Sequence, residues 1–367
     1  MNHPTVINKI AKLIFLLLIT SFLRAQMPVN EVQLQLSKVE AIMDQYSKQY
    51  DIPAMSIGLS IAGQSYFISD GLYKRNTNQA MDEKGACQIA SLSKMFTGAI
   101  IKALIAEETL ELNAPILNYL PANYPKQVQK KLMGITIREV LHHRSGLPRD
   151  SKIANSKRKG NDPLIYEYTE ADFLIDFKQM RVKKNAKRAF EYSNFGYAIL
   201  GYIAERACGL SYESLLQKYI AGPKGLKSTT TKVPNATNRV TPYYKEDKQR
   251  ETQYFVMGKL TPPSAIFSNT KDLLSLIQIQ LEIYRKEDKE HMLYLTQDAR
   301  PQTGPAYGFG LFHYGNGSYG HGGDIDGYAS NYWLYPEKDL AYVFLTSSGG
   351  DWVGPFFQEV EAALLED

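Results

Sequence analysis

The stretch CQIASLSKMFTG, Cys87 to Gly98, places a serine and a lysine three residues apart at the start of an apolar pattern with helical spacing. Ser91 and Lys94 would share one face of the predicted helix, because residues i and i+3 are neighbours on a helix surface. The apolar residues around Lys94 predict that it is buried, and burial lowers the pKa of a lysine by disfavouring its charged form. A neutral amine can take the proton of a neighbouring hydroxyl, and N–H groups at a helix start can stabilise an oxyanion. The stretch therefore makes Ser91 a candidate nucleophile, with Lys94 as its base.

The S-x-x-K spacing is weak evidence by itself, because it occurs three times in the chain. Ser156 lies in the basic stretch SKRKG, which we interpret as a loop without a scaffold. Ser268 precedes Asp272 in an apolar-periodic segment, and we interpret it as a helix cap. Ser91 differs from both because it begins a long apolar helix. On this evidence Ser91 is either a nucleophile or the ordinary polar start of a buried helix.

Helical patterns fill the middle of the chain, and strand patterns lie at both ends. Helical spacing is found in VQLQLSKVEAIMDQYSKQY, ITIREVLHHRSGLP (ending at Ser145-Gly146), NFGYAILGYIAERACGL (closed by Gly209), LLSLIQIQLEIY and FFQEVEAALLED. Strand patterns are found in AMSIGLSIAG and SYFIS (joined by a turn at Gly63-Gln64), a hairpin around Gly315-Asn316-Gly317, ASNYWLY and LAYVFLTSS.

This order predicts an α/β protein of the α+β type. An antiparallel sheet built from the two ends of the chain would be flanked by helices, with a helical part inserted between them. We expect the sheet part to comprise about residues 30–75 and 265–367, and the helical part about residues 85–260.

The first 25 residues are typical of a secretory signal peptide. Lys9 and Lys12 precede the apolar run LIFLLLITSFL, and we expect cleavage near Ala25. The run is too short to span a bilayer comfortably, although an uncleaved N-terminal anchor is the alternative. We therefore expect a secreted or periplasmic protein without a stable membrane span, in which residues 26–367 form the functional domain.

Charge and composition exclude a general nucleic-acid partner. The formal charge of +4 falls to +1 after cleavage, because residues 1–25 carry three basic and no acidic side chains. A nearly neutral protein offers no electrostatic support for nucleic-acid binding. Two basic segments, 151–161 and 178–188, are either solvated loops or an electropositive rim that attracts an anionic substrate.

The sequence predicts neither a metal nor a cofactor. It contains no H-E-x-x-H motif, and the adjacent His142 and His143 would point apart rather than chelate one ion. Cys87 and Cys208 are too few for a disulfide framework. We interpret them as buried apolar side chains, with pairing as the alternative.

Two further stretches add candidate site residues. AFEYSNFGYAILG places Tyr192 and Asn194 just before a helix, where they are either a core aromatic and a helix cap or a proton shuttle and a substrate-orienting amide. GSYGHGGDIDGY places His321 at a strand end, followed by Gly322 and Gly323, which would let a substrate backbone come close.

In the order S-x-x-K, Y-x-N, H-x-G, these motifs resemble the serine β-lactamase and D,D-peptidase superfamily. The resemblance is to its class C-like branch, which also contains esterases and D-amino-acid peptidases. VLHHRSGLP is similar to the L-x-H-x-S-G-L-P segment of that branch, and SAIFSNTKDLLSL is similar to its segment before the late helix. The resemblance runs from about Glu31 to the C-terminus and implies a β-lactamase/transpeptidase-like fold.

The resemblance implies a serine hydrolase that works by acyl transfer without a cofactor. Ser91 would be the acylated nucleophile, and Lys94 would be its base or the partner of that base. Tyr192 would relay the proton to the leaving group and later activate water.

The remaining implied roles concern substrate binding. Asn194 would hold the substrate amide or ester, and His321, with Gly323 on the same strand, would lie near the substrate carboxylate. The backbone N–H groups of Ser91 and Asp324 would form the oxyanion hole.

Three departures from the family pattern bear on the substrate. The third motif is H-G-G rather than K-T-G, so an imidazole replaces an ammonium and Gly322 lacks a hydroxyl. Lys184-Asn185 replaces the usual Pro-Gly, and Pro263-Ser264-Ala265 replaces the usual paired glycines. Esters and D-amino-acid peptides or amides are therefore expected substrates ahead of β-lactams. The alternative is a non-catalytic member that binds cell-wall peptides or a partner protein. The sequence predicts neither the natural substrate nor the oligomeric state.

Overall fold

The computed structural model describes residues 29–160, 162–183, 189–286 and 306–365. Its helices are α1 (Val29–Tyr50), α2 (Ser93–Ala106), α3 (Lys126–Leu132), α4 (Ile137–Leu141), α5 (Lys152–Lys157), α6 (Glu170–Gln179), α7 (Asn194–Cys208), α8 (Tyr212–Leu216), α9 (Thr270–Arg285) and α10 (Val353–Leu365). Its strands are β1 (Ala54–Ile61), β2 (Gln64–Gly71), β3 (Cys87–Gln88), β4 (Phe267–Ser268), β5 (Ala306–Gly308), β6 (Leu311–His313), β7 (Tyr319–Ile325), β8 (Tyr328–Tyr335) and β9 (Leu340–Thr346).

Seven of these strands form one antiparallel sheet in the order β2-β1-β9-β8-β7-β6-β5. Strands β1 and β2 therefore meet strands β5 to β9 in one sheet, although most of the helices lie between them in sequence. The predicted antiparallel sheet flanked by helices is confirmed. The short strands β3 and β4 pair separately, next to the start of α2.

Strand β1 is buried along its whole length because both faces of the sheet are covered. The apolar face of β1 packs in one cluster with residues of α1 and α10. On the other face, the hydroxyls of Ser56 and Thr270, at the start of α9, share one hydrogen bond of 2.8 Å. The predicted strand is confirmed, and its polar positions are satisfied by α9 instead of by water.

Several boundaries differ from the sequence predictions. The first turn is Ala62–Gly63, both at positive φ, because Gln64 already pairs with Ile61. The helix expected to end at Ser145-Gly146 is α4 and ends at Leu141. His143, at φ 56°, cannot continue a right-handed helix.

The two rejected S-x-x-K serines also occupy different positions from those expected. Ser156 lies on α5 rather than in a loop, and its hydroxyl donates to the Ile153 carbonyl. Ser268 lies in β4, whereas Asn269 caps α9 by accepting the Asp272 amide at 2.8 Å. Neither difference brings these serines to Ser91 and Lys94.

The cysteines are free, with Cys87 buried and Cys208 half-buried. None of the helices in the described part of the chain combines the length and the apolar character that crossing a membrane requires. The predicted signal peptide, residues 1–25, and the Lys184-Asn185 departure lie outside the described residues.

Candidate active site

Ser91 lies in a short 3-10 turn, Ala90–Leu92, between β3 and α2, instead of in the first turn of the α-helix. Ala90 adopts a left-handed conformation at φ 49°, which is unusual for a residue with a side chain. The turn is held from the sheet, because Ser330 on β8 donates its hydroxyl to the Ile89 carbonyl at 2.8 Å. Strained backbone held in this way is common where a reactive group must be fixed.

Lys94 is fully buried on α2, as the apolar pattern predicted. Its Nζ lies 3.0 Å from Ser91 Oγ and donates to the Pro263 carbonyl at 2.8 Å. Burial holds the pKa of the Lys94 amine well below its usual range; the Asp150 carboxylate opposes this fall, and the guanidinium of Arg149 adds to it. A neutral amine at this distance can accept the Ser91 proton.

Tyr192 is the second group in contact with the Ser91 hydroxyl. Its phenol donates to Ser91 Oγ at 3.0 Å and lies 3.4 Å from Nε2 of His321. Burial raises the pKa of Tyr192, although its bond to Ser91 and the guanidinium of Arg149 oppose the rise. Tyr192 is therefore a neutral phenol that can pass a proton between the serine and a leaving group.

His321 is buried on β7 and faces Tyr192. Its Nδ1 contacts the carbonyl of Gly322, which can only accept, so Nδ1 carries the proton and Nε2 is the acceptor. Burial, followed by the nearby Lys94, lowers the pKa of His321 to about 3. The imidazole is therefore uncharged at neutral pH and does not replace the ammonium of a K-T-G lysine.

His143 is a supporting residue whose role the sequence reasoning missed. Its Nδ1 accepts the backbone N–H of Ser193 at 3.0 Å, and its ring lies 4.3 Å from the ring of Tyr192 and 4.5 Å from that of Tyr307. The segment VLHHRSGLP carried the signal, because His143 is the histidine of its L-x-H-x-S-G-L-P pattern. His143 thus fixes the position of the Tyr192 phenol.

Asn194 is the first residue of α7 and does not cap it, since the side chain of Ser193 accepts the Gly196 amide instead. The Asn194 amide donates through Nδ2 to Asp150 Oδ1 at 2.7 Å. Its Oδ1 is buried and has no hydrogen-bond partner among the described residues. Sequence reasoning missed Asp150, which follows the S-G-L-P segment and reaches the site only through the fold.

Gly323 faces the nucleophile turn. A Cβ on Gly323 would stand 2.3 Å from Ser330 Oγ and 2.8 Å from both the Ala90 Cβ and the Ile89 carbonyl oxygen. The absence of a side chain therefore lets β7 approach the residues just before Ser91. Gly322, by contrast, has open space on its side of the strand.

A cavity of about 390 Å³ lies beside Ser91, with Asn194 in its wall. Ser91 and Asp324 both line this cavity. The backbone N–H groups of these two residues are the predicted oxyanion hole. Three cations and three carboxylates also line the cavity: Arg149, Arg158, Lys245, Asp150, Asp324 and Asp326. A cavity of about 430 Å³ elsewhere contains none of the predicted site residues. Among the described residues, no three acidic, histidine or cysteine side chains are grouped to hold a metal ion.

The buried histidines predict that acid destabilises the fold. Burial lowers the pKa of His142 to about 4 and that of His321 to about 3, whereas both imidazoles titrate near 6.5 when unfolded. The unfolded chain thus binds more protons below pH 6.5, so stability falls as pH drops from about 6.5 towards 4. Each imidazole contributes a slope of about 1.4 kcal/mol per pH unit in this window.

Urea unfolding between pH 5 and 7 checks this expectation above the range where most carboxylates titrate. His142→Asn keeps a donor for the Arg138 carbonyl, which His142 contacts through Nδ1, and does not titrate. We expect a shallower pH slope in this variant. A wild-type free energy of unfolding that stays constant between pH 6.5 and 5 would contradict the burial argument.

Comparison with known proteins places this chain in a family. A family model described as Beta-lactamase matches residues 39–357. The chain is 24% identical over 261 residues to a protein named Beta-lactamase from Providencia stuartii, covering 70% of this chain and 63% of that protein. It is 24% identical over 350 residues to Protein flp of Staphylococcus aureus strain MW2, covering 89% and 66%. The chain thus spans slightly less than two thirds of the length of these relatives.

Two solved structures share the fold. The octameric penicillin-binding protein homologue from Pyrococcus abyssi aligns with a TM-score of 0.76 at 23% identity, covering 90% of this chain and 77% of that chain. The D-amino acid amidase from Ochrobactrum anthropi SV3, in complex with L-phenylalanine amide, aligns with a TM-score of 0.75 at 21% identity, covering 90% and 98%. The predicted β-lactamase/transpeptidase-like fold is confirmed.

Proposed function

Because this chain belongs to the beta-lactamase family, we propose that it is a serine hydrolase that forms an acyl-enzyme on Ser91. The observation that carries the proposal is the double contact of one hydroxyl. Ser91 Oγ lies 3.0 Å from both Lys94 Nζ and the Tyr192 hydroxyl. A nucleophile needs a base within hydrogen-bond reach and a second group that moves protons, and this pair meets both needs.

In the acylation step, the neutral Lys94 amine takes the Ser91 proton while Oγ attacks the substrate carbonyl carbon. The carbonyl oxygen becomes an oxyanion, and the backbone N–H groups of Ser91 and Asp324 are our candidates to stabilise it. Burial prepares Lys94 for this role, since a protonated amine could not accept the proton.

In the second half of acylation, the bond to the leaving group breaks. Tyr192 gives its proton to the leaving oxygen or nitrogen and regains one from the Lys94 ammonium, so the departing group carries away one proton, Ser91 has lost one, and Tyr192 and Lys94 return to their starting states. Water then attacks the acyl-enzyme, with Tyr192 and Lys94 as candidate acceptors of its proton. The product acid leaves, and the Ser91 hydroxyl is restored.

We rank esters and D-amino-acid peptides or amides above β-lactams as substrates. The uncharged His321 gives little attraction to the carboxylate of a β-lactam, because its pKa of about 3 lies far below neutral pH. The name of one neighbour of the same fold, a D-amino acid amidase, also favours amide substrates. Faster turnover of a p-nitrophenyl ester than of the chromogenic β-lactam nitrocefin would support this order, and the reverse would contradict it.

A fluorophosphonate tests the proposal directly, because it phosphonylates an activated serine and leaves inactive serines untouched. Intact-mass spectrometry of the folded protein should show one adduct, and peptide mapping should place it on Ser91. Ser156 and Ser268, in the other two S-x-x-K motifs, are internal controls that should stay unlabelled. No adduct on folded protein would favour the non-catalytic binding protein instead.

We also propose that residues 1–25 are removed on export to the periplasm or the exterior, and that residues 26–367 form the hydrolase domain. The signal-like N-terminus supports this location. The same intact-mass spectrum, recorded on exported protein, gives the mature N-terminus. A mass that retains residues 1–25 would favour the uncleaved anchor.

A further inference from the structure

We propose that Asp150 selects substrates whose acyl group carries a protonated amino group, so that aminoacyl amides and esters are the preferred class. The proposal rests on the proposed function, because it concerns the same cavity beside Ser91. It follows from three features: a fixed carboxylate, an absence of charge on the catalytic side chains, and the arrangement of the competing cation.

The first feature is the way in which Asp150 is held. Its Oδ1 accepts the Nδ2 donor of Asn194 at 2.7 Å, which fixes the carboxylate in the cavity wall. Its Oδ2 forms only a long ion pair with Arg149 Nε at 3.7 Å, beyond hydrogen-bond distance, and the side chain is 38% exposed. One carboxylate oxygen is therefore open to the cavity as an acceptor without a close donor.

The bond to Asp150 also decides which substrate groups suit Asn194. One of its two N–H donors is engaged, and its Oδ1 is buried without a partner among the described residues. Asp150 Oδ2 is thus the accessible acceptor of this wall, because the buried Asn194 oxygen exposes no surface to a substrate. An ammonium group, with three donors and no acceptor, matches such a wall better than a carbonyl or a carboxylate does.

The second feature is that neither Lys94 nor His321 opposes a positive charge nearby. Burial holds the pKa of the Lys94 amine well below its usual range and lowers that of the His321 imidazole to about 3, so it disfavours the charged form of both. A substrate ammonium near the nucleophile therefore meets no buried cation from these residues, and an anionic acyl group would gain nothing from them.

The third feature is the position of the competing cation. The guanidinium of Arg149 stands 5.2 Å from the ring centre of Tyr192, and its side chain is 67% exposed. An exposed, flexible cation is a weaker and less preorganised binding group than a carboxylate fixed by an amide. Elsewhere in the lining of the same cavity, Arg158 already pairs with Asp326. The titratable groups around Asp150 are Arg149, Lys94 and Tyr192, with Arg158, Lys245, Asp324 and Asp326 lining the rest of the cavity.

The test compares hydrolysis of four p-nitroanilides that differ in the acyl group: D- and L-phenylalanyl, N-acetylphenylalanyl and 3-phenylpropionyl. We expect kcat/KM for the better phenylalanyl enantiomer to exceed that of the two uncharged acyl groups by about tenfold or more. The advantage should disappear as pH rises through the amine pKa of about 7 to 8, because the ammonium is then lost.

Asp150→Asn keeps an acceptor for Asn194 and removes the charge. We expect it to lower kcat/KM for the phenylalanyl substrate by about tenfold or more and to leave the 3-phenylpropionyl substrate nearly unchanged. Asp326→Asn is the matched control, since it removes a carboxylate from the same cavity that is already paired with Arg158. It should leave the ratio between the two substrates unchanged.

The possible failures are distinguishable. Equal losses on both substrates in Asp150→Asn, or a wild-type preference for a 3-carboxypropionyl group, would overturn this proposal while Ser91 still reacts with fluorophosphonate. Absence of fluorophosphonate labelling would overturn the proposed function and this inference with it.

Discussion

Replacing Lys94 with methionine should lower the rate constant for acylation of Ser91 by about 10³-fold, because it removes the amine that lies 3.0 Å from Ser91 Oγ and is placed to accept the serine proton. Methionine is similar in length to lysine and apolar, so it should fill the buried site on α2 without a cavity. The rate of fluorophosphonate labelling measures the loss without requiring knowledge of the natural substrate.

The same substitution should stabilise the fold. A lysine kept neutral by burial costs folding free energy, since the unfolded chain binds a proton that the folded chain releases. The wild-type free energy of unfolding should therefore rise with pH towards the unfolded lysine pKa of about 10.4, and this rise should be weaker in Lys94→Met. At pH 7 we expect a gain of about 1–4 kcal/mol in urea unfolding, reduced by the unpaired Pro263 carbonyl.

Lys102→Met is the matched control, because Lys102 lies on the same helix outside the cavity beside Ser91. It should change neither the labelling rate nor its pH dependence. A Lys94→Met protein that folds and is labelled at the wild-type rate would remove Lys94 from the mechanism and leave Tyr192 as the candidate base.

The local part of the site was predictable from the sequence, because helical spacing alone brings Lys94 to Ser91. Tyr192 and His321 are 101 and 230 residues further along the chain than Ser91, and no spacing rule joins them to it. Only the order of the three motifs, through the family resemblance, predicted that they meet. The structure places the Tyr192 hydroxyl 3.0 Å from Ser91 Oγ and 3.4 Å from His321 Nε2, and His321 reaches this group because β7 packs beside the nucleophile turn.

The features that the sequence did not predict depend on tertiary contacts. The pattern suggested that Ser91 starts an α-helix, but the left-handed Ala90 and the sheet contact at Ile89 fix a 3-10 turn there. The sequence analysis did not single out Asp150, since a carboxylate after S-G-L-P has no local signature. Its pairing with Asn194, 44 residues later, exists only in the folded chain.

Gly323→Ala should lower the fluorophosphonate labelling rate by about 10²-fold, although residue 323 contributes no side chain to the chemistry. The new methyl group would stand 2.3 Å from Ser330 Oγ and 2.8 Å from the Ile89 carbonyl, so it would break the bond between them. The turn that carries Ser91 would then shift relative to β7, and displacements of about 1 Å at a reacting group cost about 10²-fold in rate. Overpacking at this contact should also cost about 1–3 kcal/mol of stability.

Gly322→Ala is the control that separates sterics from strand propensity. The two glycines are adjacent on β7 and neither has positive φ. Replacing either one with alanine therefore has the same effect on the conformational freedom of the backbone. A methyl group on Gly322 meets no atom within 4 Å, and this variant should keep both its stability and its labelling rate. If both variants lose activity equally, the glycines are required for substrate approach, as the sequence alone suggested. If only Gly323→Ala loses activity, Gly323 is required because β7 must pack against the turn that holds Ser91.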